Sequence, residues 1–215
     1  MAASLLLWGV GTSRTLRAHW ALAELGLAYE MRPILPRSGE TLTPEYTALN
    51  PRQKIPLLQD GAFTLGESAA IVTYLAETYS TGAHGLCPGD QAERFRWLEW
   101  SFFTVTELDS TSLYVMRRHG VVQGLAHIYG EAPEVVAQAA EYFLKQLRHV
   151  SVALQDGRAH LLGDRFTTVD ILLTTCLSWA QAYHIALDPP LIAYMERNQD
   201  RPAFREANAR NSVRS

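Results

Sequence analysis

Residues 4–35, SLLLWGVGTSRTLRAHWALAELGLAYEMRPIL, change their hydrophobic period twice, and that change decides the fold of the first part of the chain. Residues 4–10 are a short, almost continuous apolar run, as a strand covered on both faces requires. From Ser13 the period lengthens: Leu16, Trp20, Ala23 and Leu27 fall at helical spacing, and Gly26 stands where a helix C-terminal cap belongs. Residues 28–35 read as a second strand, closed by Pro33 and Pro36. A strand, a helix and a strand joined this tightly form a βαβ unit, whose two strands run parallel.

Downstream, Thr43 followed by Pro44 predicts the capped start of a short helix over residues 43–49. Residues 55–59 and 62–65 flank Asp60-Gly61, a strong hairpin signal. A helix over 67–79 turns Ala70, Ile71, Tyr74, Leu75 and Thr78 inward. The order β-α-β, short helix, β-β-α describes a small mixed sheet carrying helices, of the thioredoxin type. STGAHGLCPGD at residues 80–90 breaks both periods. It sets a first domain at residues 1–80, a linker at 81–90 and a second domain at 91–215. Every long segment of the second part reads as helix: 91–118 with Phe95, Leu98, Phe102, Val105 and Leu108; 132–155 with Val136, Phe143 and Leu147; and an almost wholly apolar stretch at 168–183 that suits a buried central helix. Shorter helices are expected over 190–197 and 202–209. The fold class is therefore α/β plus all-α, an N-terminal thioredoxin-like domain followed by an all-helical C-terminal domain.

The 215 residues carry a formal charge of −3, which argues against a nucleic-acid partner, since no excess of Lys and Arg is present to displace counterions from phosphates. Arg117-Arg118-His119 reads as a solvated helix end. Cys87 and Cys176, far apart in sequence, exclude a zinc site or CxxC pair on ligand count and read as reduced thiols. No metal is expected. The N-terminal run MAASLLLWGV lacks a basic flank and a small-residue cleavage site, so it reads as a strand and not as a signal peptide. No window is long enough to span a bilayer. These readings predict a cytoplasmic protein with no membrane partner.

Three stretches carry chemistry. In NPRQKIPLL, residues 50–58, Pro56 opens a strand before a hairpin. It either protects an edge or sits in a cis bond that leaves the backbone of Ile55 open to an extended ligand. In LGESAAIVTYL, residues 65–75, Glu67 and Ser68 fall at a helix N-terminus, where free N–H groups and the helix dipole favour an anion while Glu67 suits an ammonium. The bland alternative is a plain cap. In GDRFTTVDILL, residues 163–173, Thr167 and Asp170 form a capping box before an apolar helix, with Phe166 and Ile171 placed for a hydrophobic staple. That motif reads as structural.

Together these stretches resemble the glutathione transferases. NPRQKIPLL is similar to their Asn-Pro-x-Gly-Lys-Val-Pro-x-Leu segment, LGESAAIVTYL to their Glu-Ser-x-x-Ile-x-x-Tyr-Leu segment, GDRFTTVDILL to their second-domain capping box, and DRPAFREA to their Arg-Pro-x-Phe ending. The resemblance covers essentially the whole chain. It implies that Ile55, beside Pro56, pairs by its backbone with the cysteinyl unit of glutathione. Glu67 and Ser68 hold the γ-glutamyl ammonium and carboxylate, and Lys54 and Gln53 lie near the glycine carboxylate. Gln53 replaces the family's glycine, so the loop before Lys54 is expected to be shaped differently. The thiol-activating loop is GTSRTLR, where Ser13 and Thr12 fall at the serine positions of theta- and zeta-like members. Arg14 falls close to the cysteine of beta-like members. Ser13 is the expected main donor to the sulfur and Thr12 the second, with the Arg14 cation nearby. Val10, Phe103 and Tyr114 are the candidates for the wall of the electrophile site.

The resemblance implies attack of a glutathione thiolate on a small hydrophobic electrophile, in a homodimer, with glutathione as co-substrate and no further cofactor. Two other readings stand beside it. One is a glutathione-dependent reductase or ether-cleaving enzyme, although reductases of this kind keep a cysteine in the loop that here reads GTSRTLR. The other is a non-catalytic binding module on the same scaffold.

Overall fold

The computed structural model describes residues 5–81 and 85–212; Ser4, where the first strand is expected to begin, and residues 82–84 of the expected linker lie outside them. The chain divides into two compact units. One takes in the sequence through Cys87 together with the chain from Gln199 onward, and the other is Pro88–Asn198.

The first unit contains β1 (Leu5–Trp8), α1 (Ser13–Glu24), β2 (Tyr29–Arg32), α2 (Pro44–Leu49), β3 (Leu57–Asp60), β4 (Phe63–Gly66) and α3 (Ser68–Tyr79). The sheet order is β2-β1-β3-β4, with β1 parallel to β2 and β3 antiparallel to both its neighbours. This is a thioredoxin-like α/β domain. Leu7 registers with Met31 on one side and Leu58 on the other, and both Leu7 and Leu58 are fully buried. The hairpin pairs Asp60 with Phe63, which leaves Gly61 and Ala62 as the two turn residues. Gly61 has φ +57° and Ala62 does not share the positive φ, the pattern of a type II′ turn with glycine at its first central position. Thr43 caps α2 through the Tyr46 N–H at 3.2 Å, with Pro44 next in line.

The C-terminal end departs from a division at residue 91. Helix α10 (Pro202–Asn211) packs along α1 and so belongs to the sheet unit. The DRPAFREA stretch fastens it. Arg201 grips Glu24 bidentately, Nε–Oε1 at 2.6 Å and Nη2–Oε2 at 2.7 Å, and Phe204 meets the fully buried Trp20 ring edge-on at 4.8 Å.

The second unit is helical. Helix α4 (Gln91–Phe103) continues through a π-helical segment (Thr104–Leu113) into α5 (Tyr114–His119); α6 (Ala126–Tyr129), α7 (Pro133–Ala153), α8 (Thr168–Ala182) and α9 (Pro189–Gln199) follow, the last residue of α9 counting with the sheet unit. The single expected helix over 91–118 is thus one rod with a widened middle. The cause lies in its polar run: the Thr106 hydroxyl donates to Phe102 O at 2.9 Å and that of Ser112 to Glu107 O at 2.6 Å, side chains competing for the helix's own carbonyls. Helix α8 is buried at every residue from Thr168 to Leu177. Thr167 and Asp170 close a capping box at its start, Asp170 Oδ2 accepting the Thr167 N–H at 2.8 Å. Among the described residues, no helix is long and apolar enough to cross a membrane.

Candidate active site

The loop after β1 is shaped by glycine. Gly9 has φ +107°, and a Cβ there would lie 2.6 Å from Ile55 Cβ and 3.0 Å from the Thr15 methyl. Only glycine lets the backbone pass between them, and this brings the loop before β3 against the start of α1. His19, buried on α1, supports Gly9 from behind: Nε2 lies 3.1 Å from Gly9 O and Nδ1 2.7 Å from the Tyr29 hydroxyl. Burial pushes the imidazole pKa down to about 4. The ring is therefore neutral at ordinary pH, donating from Nε2 to the Gly9 carbonyl and accepting from Tyr29 at Nδ1.

Thr12 is the N-cap of α1. Its hydroxyl accepts the Thr15 N–H at 3.0 Å, and its own N–H donates to Thr15 Oγ1 at 3.0 Å. The Thr15 hydroxyl has its acceptors in Asn211 Oδ1 at 2.6 Å and Thr12 O at 2.8 Å, so the Thr12 hydroxyl proton is directed to Thr15 Oγ1, 2.9 Å away. Both hydroxyls are committed to the cap. Ser13, the first helical residue, is half-buried, and its hydroxyl takes no partner among the described residues. It stands where the helix N–H groups and dipole favour negative charge. Arg14 follows, also half-buried. Arg17, one turn on, is 1% exposed, and its Nη1 lies 3.3 Å from Ser68 Oγ.

Ser68 is the first residue of α3 and is buried, while Glu67 is the N-cap with φ +66°. Arg52 Nη1 lies 2.5 Å from Glu67 Oε1, tying the loop before β3 to the start of α3. In that loop the Ile55–Pro56 bond is cis, and the Ile55 N–H and C=O take no partner among the described residues. The carbonyl of Lys54 accepts from the Tyr46 hydroxyl at 2.7 Å and Asn50 Nδ2 at 2.8 Å, which fixes the turn; the Lys54 side chain is exposed. Gln53 adopts φ +55°, the left-handed conformation that glycine takes most easily, and its side chain turns back to donate to Thr47 Oγ1 at 3.0 Å. The replacement of glycine therefore leaves the backbone in a glycine-like conformation. Two residues with side chains at positive φ, Gln53 and Glu67, each cost about 1–2 kcal/mol. They flank the same place.

These contacts join Gly9 with Ile55, Arg17 with Ser68, and Arg52 with Glu67. The result is two helix N-termini, a buried cation, an exposed carboxylate and an open stretch of extended backbone. That set suits a peptide-like ligand with a zwitterionic head. The wall candidates are dispersed. Val10 is 3% exposed in the core of the sheet unit, its N–H donating to Ile34 O at 3.0 Å, so it offers little surface. Phe103 and Tyr114 belong to the helical unit, bracketing the π-helical segment, both half-buried. The Phe103 ring packs edge-on against Trp100 and His149, centroids 5.5 Å away in each case.

Two residues of this region escape a reading of the sequence. Arg17 carries a signal, a charge four residues after Ser13 inside the apolar stripe of Leu16 and Trp20. Asn211 carries none, since its partners lie near residue 12.

Residues 3–77 match the model for the glutathione S-transferase N-terminal domain, and residues 133–197 match that for the C-terminal domain. Glutathione S-transferase 3 of Zea mays is 32% identical over an alignment covering 96% of this chain and 94% of the maize protein. Glutathione S-transferase 1 of Schizosaccharomyces pombe is 30% identical over 74% of this chain, and the match spans 66% of that protein's own length. Among solved structures, the theta-class glutathione S-transferase from Xanthomonas axonopodis pv. citri, with glutathione bound, superposes with a TM-score of 0.79 at 30% identity, covering 95% of this chain and 97% of that one. The chain belongs to the glutathione S-transferase family.

Proposed function

We propose that the chain is a glutathione transferase that binds glutathione at the starts of α1 and α3 and activates its thiol through Ser13 for attack on a small hydrophobic electrophile. In this reading the cysteinyl backbone pairs with the N–H and C=O of Ile55. The γ-glutamyl carboxylate meets the N-terminus of α3, Ser68 and Arg17, while its ammonium meets Glu67. Lys54 and Gln53 serve the glycine carboxylate, and Arg14 adds positive potential near the sulfur. Phe103 and Tyr114 remain the candidates for the electrophile wall, whereas Val10 stays in the core of the sheet unit. The glutathione held by the Xanthomonas relative supports the ligand.

The observation that carries the mechanism is the contrast between two neighbouring hydroxyls. Thr12 is tied into the helix cap, and Ser13 beside it has its proton available for a sulfur. A thiol has a reference pKa of about 8.5, so most of it is protonated at neutral pH; each unit of depression needs only about 1.4 kcal/mol of preference for the thiolate. A donated hydroxyl proton and the α1 N-terminus supply contributions of that size. The thiolate then forms a C–S bond, and the electrophile either releases its leaving group with the bonding pair or takes up a proton from solvent.

Ser13→Ala is expected to raise the pKa of bound glutathione's thiol by about one unit and to lower conjugation of an aryl halide at neutral pH about tenfold. Thr12→Ala is expected instead to cost about 1 kcal/mol of stability through the lost cap. Titration of the ultraviolet thiolate absorbance decides between the two hydroxyls, and an unchanged pKa in Ser13→Ala removes Ser13 from the mechanism. Arg17→Met is expected to weaken glutathione binding about tenfold, roughly 1.4 kcal/mol by calorimetry. Equal affinity would place Arg17 outside the site.

The reading extends to a homodimer in the cytoplasm, where glutathione is abundant. Phe63 on β4 is 47% exposed, and Phe95 and Phe102 on α4 are each 65% exposed. A second copy that covers these rings would account for their exposure.

A further inference from the structure

Helix α10 does more than complete the sheet unit, because its last residue reaches back to the loop that starts α1. Asn211 is 8% exposed. Its side-chain oxygen accepts from the Thr15 hydroxyl at 2.6 Å and from the Gly11 N–H at 3.2 Å. Its amide nitrogen donates to the Thr12 carbonyl at 3.2 Å, and its backbone oxygen accepts the Gly11 N–H at 2.9 Å. One residue thus engages Gly11, Thr12 and Thr15, three of the groups that surround Ser13. Gly11, at φ +82°, is exposed and has no side chain to anchor it.

The contact at Thr15 has a consequence for proton direction. The Thr15 hydroxyl faces two acceptors that carry no proton, the Asn211 side-chain oxygen at 2.6 Å and the Thr12 carbonyl at 2.8 Å, so Thr15 Oγ1 is left as an acceptor for the Thr12 hydroxyl and the Thr12 N–H. Without the Asn211 side chain the Thr12 carbonyl loses its amide donor, the Gly11 N–H keeps only the backbone oxygen of residue 211, the Thr15 proton is left to the Thr12 carbonyl at 2.8 Å, and the loop from Gly11 to Ser13 gains freedom. The N-terminal residue of α1 is then held by its own cap alone.

We infer that Asn211, at the end of the C-terminal helix, is the positioning residue that holds the Gly11–Thr12 backbone and the hydroxyl network around Ser13 in the orientation needed to stabilise a thiolate. The inference rests on the reading of Ser13 as the sulfur's donor. Asn211 touches neither ligand nor sulfur and acts only through the loop. The other fastenings of α10 differ in kind: Phe204 packs on Trp20, and Arg201 holds Glu24 at the far end of α1. Loosening those should lower stability and leave the loop's hydrogen bonds in place.

The test compares Asn211→Ala, Asn211→Ser, Phe204→Ala and Ser13→Ala in the full chain, with glutathione as the probe. Three quantities are read: the pKa of the bound thiol, the glutathione Kd and the midpoint of thermal unfolding. Asn211→Ala is expected to raise the thiol pKa by about half a unit or more, a threefold loss of thiolate. The Kd should stay within about twofold. Asn211→Ser, which keeps a hydroxyl at the position, should fall between wild type and alanine and serves if the alanine variant does not fold. Phe204→Ala should lower the unfolding midpoint without moving the thiol pKa. If Phe204→Ala and Asn211→Ala shift the pKa in proportion to lost stability, or if neither Asn211 variant shifts it, the positioning role is overturned. If Ser13→Ala leaves the pKa unmoved while Asn211→Ala raises it, the choice of Ser13 fails and the loop's control of the sulfur stands. The reverse result removes Asn211 and keeps Ser13.

Discussion

Replacing Asp170 by alanine is expected to lower the unfolding free energy by about 3–5 kcal/mol, the range for breaking a buried, hydrogen-bonded charged network. The carboxylate is fully buried and joins three segments. Oδ1 accepts the Leu161 N–H at 2.9 Å and the Tyr194 hydroxyl at 2.6 Å, and Oδ2 accepts the Thr167 N–H at 2.8 Å and the Thr167 hydroxyl at 3.1 Å. Alanine leaves all four donors without this acceptor, in a place that water reaches only by opening the unit. Tyr194 contributes a permanent donor: burial, reinforced by the neighbouring carboxylate, holds its phenol well above the usual range, so it stays protonated at every ordinary pH. Tyr194→Phe removes only one of the four bonds and should cost about 1 kcal/mol. Denaturant unfolding checks both, as a fall in midpoint at unchanged slope. A loss below about 1 kcal/mol for Asp170→Ala would mean that the donors find other partners and that the hub is not structural.

Asp170 also illustrates what a sequence discloses. Thr167, three residues before it, announces a capping box because both partners lie within one helical turn. Leu161 and Tyr194 could not be foreseen, since they reach the same carboxylate from outside the local pattern. The first unit repeats the lesson. Parallel β1 and β2 follow from strand length, helical spacing and short loops, and the hairpin follows from the glycine at residue 61. The attachment of α10 depends on Arg201 meeting Glu24 and Phe204 meeting Trp20 across most of the chain's length, which no local period encodes. The π-helical widening at Thr104–Leu113 depends on which carbonyls the Thr106 and Ser112 hydroxyls choose. In the site, the resemblance ranked Ser13 ahead of Thr12 as the sulfur's donor, but the residue types at 12 and 13 alone do not separate the two hydroxyls. The structure separates them through Thr15, which ties the Thr12 hydroxyl into the cap. Gln53 shows the converse: the residue departs from the family's glycine, yet Thr47 and the Asn50 turn keep its backbone in the glycine region.

Acidification is expected to loosen the first unit through His19, and the direction follows from where its protons bind. In the folded chain burial holds the imidazole at about pH 4, with the nearby Arg210 cation acting the same way and the Gly9 carbonyl opposing them. In the unfolded chain it titrates near 6.5. Between those values the unfolded state binds a proton that the folded state does not, so the stability due to neutral His19 is complete above about pH 6.5 and is lost as the pH falls toward 4. The linkage amounts to roughly 2 kcal/mol at pH 5 and roughly 3 kcal/mol at pH 4. Protonation also turns Nδ1 into a donor, so the Tyr29 hydroxyl can no longer donate to it, and Arg210 over the Tyr29 ring at 4.7 Å adds repulsion. His19→Gln, which keeps an amide donor for the Gly9 carbonyl, should flatten the stability profile across this interval by about one proton, as measured by denaturant midpoints at a series of pH values. The same slope in wild type and variant would show that carboxylates elsewhere govern the acid limb. Because Gly9 passes between Ile55 and Thr15, glutathione affinity in the wild type should fall over the same interval in advance of global unfolding, and His19→Gln should delay that loss.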